Sequence, residues 1–548
     1  MDPAAGLPSS VMPSRATDLH DRGWFTEPTD PTTWRSKAGL PPVVALATAA
    51  WIGVLLAYSL LIPLFRAPDE IQHVDLVLAS RTAPGYVDYD NAFIDSRVAA
   101  GAALLGRPAL GSTGQSADAT VRSKRPTLAE LGTSQPAGRN QQTQHPPLYY
   151  ASMGAVSTFV TTVIPGEHAW SFDRLVYLFR LLNIALVAAV PAIAYRTGRR
   201  LGISTRSSLL ACILVMSVPQ FAHIGSSVNN DNLVVLLGAL VALGVASVSA
   251  GDLGRRRALM LGALVGLALL TKATALVLIP MVSVAYALHG RSHLRTAALR
   301  VVQSGLVALA VGGWWYVRNL VRYGTAQPSD SFWLVPKDVD PVIGDWAERF
   351  FYLLPVRFWG QFGYLEEKLN RPLVALATVV VLAGIGRAVV QRRKRGPVAM
   401  LLVPFAGSIV LVARKTWSRY LLVGRPIPGI QGRYLFLGIV GLMVAVGSAV
   451  DALPSWLRRR AAGAGGILLV AMHAAAVATM VRGFWGTEAE AWTDRLDDLR
   501  AFAPLPEVLT NLVFVGTSVA VAALVVVCSM DAVRASADDP TALPVPLV

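Results

Sequence analysis

The chain has 548 residues, 53% hydrophobic and only 15% charged, with a formal net charge of +15 and two cysteines. Soluble domains carry about 25% charged residues, so this balance excludes a soluble enzyme and specifies a polytopic membrane protein. The basic excess sits in short clusters between apolar runs, which excludes a nucleic-acid partner. Cys212 and Cys528 lie inside apolar runs, as packing residues rather than a disulfide or metal framework.

Residues 1–42 are polar and rich in Pro, Ser and Thr, and are expected to form a disordered cytoplasmic tail rather than a cleavable signal. A transmembrane domain is then expected over residues 43–530. Its apolar runs are 43–63, 175–195, 207–223, 231–250, 258–270, 273–288, 299–320, 372–390, 398–413, 434–450, 461–481 and 512–530. The fold class expected is therefore all-α and polytopic, with about 12 transmembrane helices.

Charge parity decides the two ambiguous stretches. Residues 148–165 are apolar enough to span, but a crossing there would put the later Arg clusters outside, so they are expected to form a juxtamembrane or re-entrant helix. A single helix over 258–288 would run about 46 Å against a core of about 30 Å, so a break is expected at Thr271-Lys272. Both termini then face the cytoplasm, with 531–548 as a second tail, and the external segments are 64–174, 321–371 and 482–511. One connection violates the rule: Arg414, Lys415, Arg419 and Arg425 would face outward, so either the topology differs there or those charges are kept for an anionic ligand.

Just past the first apolar run stand two adjacent carboxylates, Asp69 and Glu70. Neighbouring carboxylates can divide labour, one taking a proton and the other holding a cation or orienting a hydroxyl. The plainer reading is a helix N-terminus, capped by Asp69 with Glu70 in its first turn. His73, one turn on, shares a helical face with Asp69. His145, before Pro146-Pro147, is aimed by a stiff backbone or simply opens a turn. Asn229-Asn230-Asp231-Asn232 reads as a tight turn with an N-cap or as a polar wall of the same pocket. Lys272 interrupts an apolar stretch, where an ammonium is costly unless paired or near water. It either snorkels or holds a phosphate. Arg433, with Arg419 and Arg425 nearby, forms a candidate anion site. Trp359 belongs to an aromatic segment expected at the headgroup level.

At these residues the chain resembles the GT-C class of integral-membrane glycosyltransferases, and within it a bacterial predicted-membrane-protein family with a PDExxH signature. The matching pieces are PDEIQH at 68–73, HPPLYY at 145–150, NND at 229–231, LTKAT at 270–274, FWGQFG at 358–363 and QGRY at 431–434. The resemblance implies an acidic motif after the first helix, juxtamembrane helices before the second, and a polyprenyl-phosphate sugar as donor. It also implies Asp69 as the base and Lys272 and Arg433 as ligands of the lipid phosphate.

The function expected is sugar transfer from a polyprenyl phosphate to an envelope glycan or lipid acceptor, with inversion, at the extracytoplasmic face of a bacterial cytoplasmic membrane. Asp69 and Glu70 are the candidate catalytic residues. His73, His145, Asn230, Asp231, Lys272, Arg419, Arg433 and Trp359 are the candidate binding residues. A divalent cation, Mg or Mn, is a further candidate ligand of the acidic groups. The alternative is a transporter or flippase of lipid-linked glycans, which would place its ionisable groups nearer the bilayer midplane.

Overall fold

A computed structural model describes residues 40–82, 87–105, 122–164, 170–328, 340–391, 395–424, 429–485 and 491–537. The expected tail through residue 39, Arg425 and the last eleven residues lie outside them. The protein is an all-α polytopic membrane protein. Among the described residues nine helices are long and apolar enough to cross a membrane, and ten if one bent pair counts as a single span. This is fewer than twelve, and the shortfall has a local cause. The expected pair across 258–288 forms two short helices, Arg255–Leu269 and Leu278–His289. They are separated by extended Lys272 and the 3₁₀ turn Ala273–Val277. The expected span at 207–223 is the bent pair, Thr205–Met216 and Pro219–Gly225, angled at 64°. Pro219 opens its second helix, where its missing N–H costs nothing.

The first helix, Pro42–Leu61, packs along the last, Glu507–Ala537. One continuous apolar core runs from Val43 and Trp51 through Cys212 and Met443 to Cys528. Small residues permit the closest approaches. A Cβ on Gly441 would run into the Leu401 carbonyl.

Between the first helix and Phe172–Val187 lie three shorter helices, Glu70–Thr82, Ser96–Leu104 and Leu148–Val163. A small antiparallel hairpin, Phe93–Asp95 with Pro136–Arg139, joins them. Leu148–Val163 packs against Glu70–Thr82, a second core forming around Val74, Val77, Tyr149 and Met153. Far downstream, the helix Arg395–Val423 continues ten residues beyond its expected end at Ala413. That extension carries Arg414, Lys415 and Arg419, which the sequence placed in a loop.

Candidate active site

The chain leaves Leu61 and turns sharply before the helix Glu70–Thr82 begins. Two residues of the turn are left-handed, Phe65 at φ 64° and Asp69 at φ 63°. For Phe65 this conformation is costly, whereas Asp tolerates it better than most residues. Such strain is held only where surrounding contacts impose it. Here the brace is Glu70. Its carboxylate accepts from Arg180 Nε at 2.8 Å and Nη2 at 2.6 Å, and from the backbone N–H of Phe65 at 2.8 Å and of Val228 at 3.1 Å. Arg180 also donates to the carbonyls of Ser59, Ile62 and Pro63. Both side chains are sealed from solvent. Every oxygen of Glu70 is thus committed to the fold, and the residue does not line the cavity described next.

Asp69 points the other way, into a cavity of about 1160 Å³. Its Oδ2 meets Arg433 Nη2 at 2.5 Å, and Gln141 reaches its Oδ1 at 3.5 Å. Burial by itself would raise the Asp69 pKa. Arg433 and Lys272 outweigh burial and hold it below the usual 3.8, so the carboxylate is ionised. Arg433 also faces Asp231 Oδ2, with Nε at 3.6 Å. Lys272 Nζ donates to Asp231 Oδ1 at 2.6 Å and to Asn230 Oδ1 at 3.3 Å. The ring of Tyr434 lies 5.0 Å from the Lys272 ammonium and 5.4 Å from the Arg433 guanidinium, close enough for cation–π attraction. Asp69, Arg433, Asp231 and Lys272 therefore form one chain of alternating charge, and the Asn230 amide oxygen accepts from its last ammonium.

Local structure explains how distant motifs meet there. Lys272 is extended, at φ −159° and ψ 136°, which breaks the helix at the residue whose ammonium must reach Asp231. The Leu270 carbonyl accepts from Leu148 N–H, at 3.2 Å, so the segment after Pro146-Pro147 is sewn to the Lys272 turn. Gly432 lies against the backbone of Arg357 and Phe358 with no room for a Cβ, which lets Arg433 approach Pro68 and Asp69.

His73 shares a 2.9 Å hydrogen bond with the Tyr150 hydroxyl through Nδ1 and stacks on that ring. Burial, helped by Lys272 and Arg433, pushes its pKa down to about 3 against the pull of Asp69, so the imidazole is neutral. His145 lines the cavity, and its Nδ1 is buried without a hydrogen-bond partner among the described residues. Burial, then Lys272, holds it well below the ordinary histidine range. Arg419 lies on the cavity wall. Trp359 does not join the site: it is buried, with its indole N–H bonded to Thr378 Oγ1 at 3.0 Å.

The lining carries five cations, Lys272, Arg414, Lys415, Arg419 and Arg433, against the carboxylates of Asp69 and Glu366. Three of the cations come from the extended helix Arg395–Val423. It turns Leu411, Lys415, Arg419 and Leu422 to the cavity at helical spacing, so two cations sit between two leucines along one face. Glu366 is anchored by Arg66 at 3.1 Å. Sequence reading missed Arg180, Gln141 and Glu366 as parts of this region. Only Arg180 carried a signal, a cation inside an apolar helix. Among the described residues no group of three or more His, Cys, Asp or Glu is placed to hold a metal ion. Guanidinium and ammonium groups meet the carboxylates of Asp69 and Asp231 there.

No curated protein matches the chain significantly in sequence. Among solved structures it is similar to ArnT from Cupriavidus metallidurans bound to undecaprenyl phosphate, at 14% identity and a TM-score of 0.43, over 90% of this chain and 77% of that one. It is also similar to the Archaeoglobus fulgidus oligosaccharyltransferase, at 12% identity and a TM-score of 0.40, covering 80% of this chain and 54% of that one. A third is the arabinosyltransferase EmbB from Mycobacterium smegmatis, at 13% identity and a TM-score of 0.37, covering 93% of this chain and 42% of that one. The model of the family described as predicted membrane protein (DUF2142) matches residues 52–443, well over half of the chain, and the protein belongs to that family.

Proposed function

We propose that the protein is a membrane glycosyltransferase that moves a sugar from a polyprenyl phosphate to an envelope glycan or lipid. The observation that carries this reading is an ionised, partly accessible Asp69 on the wall of a large cavity whose other groups are mainly cationic. An excess of cations beside apolar Leu276, Leu411 and Leu422 suits a ligand with a phosphate at the end of a hydrocarbon chain. A lipid-linked donor needs no nucleotide-binding loop, and none is present in the sequence.

In this reading Lys415 and Arg419 receive the phosphate as it enters, and Lys272 and Arg433 hold it beside Asp69. The acceptor hydroxyl, hydrogen-bonded to Asp69, attacks the anomeric carbon. The bond from that carbon to the phosphate oxygen breaks, the electron pair leaves with the phosphate, and the hydroxyl proton passes to Asp69. One displacement inverts the anomeric configuration. A carboxylate held below its usual pKa is a weak base. The donor phosphate corrects this by drawing Arg433 away from Asp69, so basicity rises only when substrate is present. The cations then stabilise the charge that develops on the departing phosphate. His145, whose Nδ1 has no hydrogen-bond partner among the described residues, is a hydrogen-bonding group for a sugar hydroxyl. We place the cavity at the extracytoplasmic face of a bacterial cytoplasmic membrane, with both termini inside.

The test is transfer of radiolabelled sugar from synthetic polyprenyl-phosphate donors by the protein in proteoliposomes, supplied with envelope extract as acceptor. Wild type transfers label and Asp69→Asn does not. Equal turnover by the two proteins refutes the base assignment. Movement of intact donor across the bilayer without breakage of the sugar–phosphate bond would make it a flippase.

A further inference from the structure

The helix Glu70–Thr82 has a second working face. At about 100° per residue, Asp69 and His73 fall on one side and Asp75, Leu78, Ala79 and Thr82 on the opposite one. That opposite side walls a separate cleft of about 960 Å³, closed by the hairpin Phe93–Asp95/Pro136–Arg139, by Thr127–Glu130 and by Trp170. The proposed reaction uses none of these residues.

The lining narrows the ligand. Phe93 is 49% exposed, a large ring left open on the cleft wall. Trp170 is fixed by its indole N–H to the Ile164 carbonyl at 3.0 Å, and its ring completes the aromatic part. Arg81 donates through Nη2 to Thr161 Oγ1 at 2.8 Å, while its Nη1 is buried without a hydrogen-bond partner among the described residues. A buried donor left unmatched is costly, and a ligand oxygen would satisfy it. Asp75, Asp95 and Glu130 outnumber Arg81 and Arg97 on the lining, so the field opposes a phosphate or another anion. Open rings, a waiting donor, carboxylate acceptors and no cationic excess together fit a neutral ligand rich in hydroxyls with apolar C–H faces.

We propose that this cleft is a saccharide-binding site that holds a sugar unit of the acceptor away from the hydroxyl that reacts, an inference that rests on the glycosyltransferase reading. The two sites are mechanically joined. Asn140 Nδ2 donates to Asp75 Oδ2 at 2.8 Å and to the Gln72 carbonyl at 3.0 Å, and the next residue, Gln141, reaches Asp69. An acceptor gripped at the cleft is therefore registered against the same short helix that begins beside the reacting carboxylate.

The experiment uses the full chain in lipid nanodiscs on an array of defined neutral oligosaccharides: glucans, mannans, galactans and arabinans. Phe93→Ala and Arg81→Gln, checked for wild-type elution on size exclusion, are expected to weaken capture of the bound glycan about five- to tenfold each. In the transfer assay they raise the acceptor KM rather than lowering kcat. Failure to capture any oligosaccharide, or capture unchanged by both cleft variants, overturns the proposal. So does a Phe93-dependent protein partner in place of a glycan. Glycan capture by a protein that transfers no sugar would leave the cleft standing and remove the transferase. Transfer that needs Asp69 but ignores Phe93 and Arg81 would do the reverse.

Discussion

Asp69 and Glu70 are adjacent and chemically alike, yet their replacement should fail in opposite ways. Glu70→Ala removes four accepted hydrogen bonds at once and strands the Arg180 guanidinium, whose side chain is 1% exposed. Breaking a buried ion pair from one side costs about 3–5 kcal/mol. The orphaned amides of Phe65 and Val228 add about 1–3 kcal/mol each. The total exceeds about 5 kcal/mol, comparable with the whole stability of many folded proteins. Asp69→Asn is milder: Asn accepts the left-handed backbone, and Arg433 keeps Asp231 and the Pro68 carbonyl. Its cost is at most the about 1.5–3 kcal/mol of one charge-assisted hydrogen bond. Heating detergent-solubilised variants and following the surviving monodisperse peak separates the cases. Glu70→Ala should express poorly or melt many degrees early, and Asp69→Asn should melt near wild type while transferring no sugar. A Glu70→Ala protein that melts like wild type but lacks turnover would refute the division of labour argued here.

Removing Lys272 with Lys272→Ala should raise the donor KM at least tenfold, read from initial rates against polyprenyl-phosphate concentration; an unchanged KM would take the ammonium out of phosphate binding. Gly432→Ala should lower folded yield in a solubilisation assay, because the Arg357–Phe358 peptide that the new Cβ would strike cannot yield. His73 falls from an ordinary 6.5 to about 3 on folding, so the unfolded chain takes up the proton first and stability is lost as pH drops from about 6.5 toward 3. Asp75 rises from 3.8 to about 6 through burial, so there the folded chain binds the proton first and stability is gained as pH drops through about 6. His73→Gln should therefore flatten the acid loss in thermal melts at pH 7, 6 and 5, and Asp75→Asn should steepen it. Cysteines placed at exposed Thr133 and Arg291, over the buried Cys212 and Cys528, test orientation. An impermeant maleimide should label the first in intact cells and the second only after permeabilisation.

The membrane helices were legible because about 20 apolar residues leave the backbone few alternatives in lipid. The break inside 258–288 was legible from length, and it falls at Lys272, whose ammonium meets Asp231. Arg414 and Lys415 mislead in the other direction, since two charges after an apolar run read as the end of a helix. Arg and Lys are good helix formers, and the helix simply runs on into a polar cavity with Lys415 and Arg419 on its inner face.

The short motifs show a subtler limit, because proximity in sequence does not separate groups that touch substrate from groups that hold them in place. Within PDEIQH, Asp69 opens to the cavity while Glu70 is locked to an arginine 110 residues away. Nothing near position 70 announces that partner. FWGQFG, read as an aromatic headgroup segment, is a brace. Arg357 donates to Gln361 Oε1 at 3.0 Å and to the Ile430 carbonyl at 2.6 Å, and Gln361 N–H donates to Gln220 Oε1 at 2.7 Å. That brace fixes the backbone just before Gln431, and Gly432 then packs flat upon it. Arg433 is consequently aimed by residues some 70 positions upstream, and a change at Gln361 should disturb the Arg433–Asp69 contact without touching either residue. In such a site the substrate-facing atoms are few, and most of the motif sequence is spent on holding them at rest against burial and like charge.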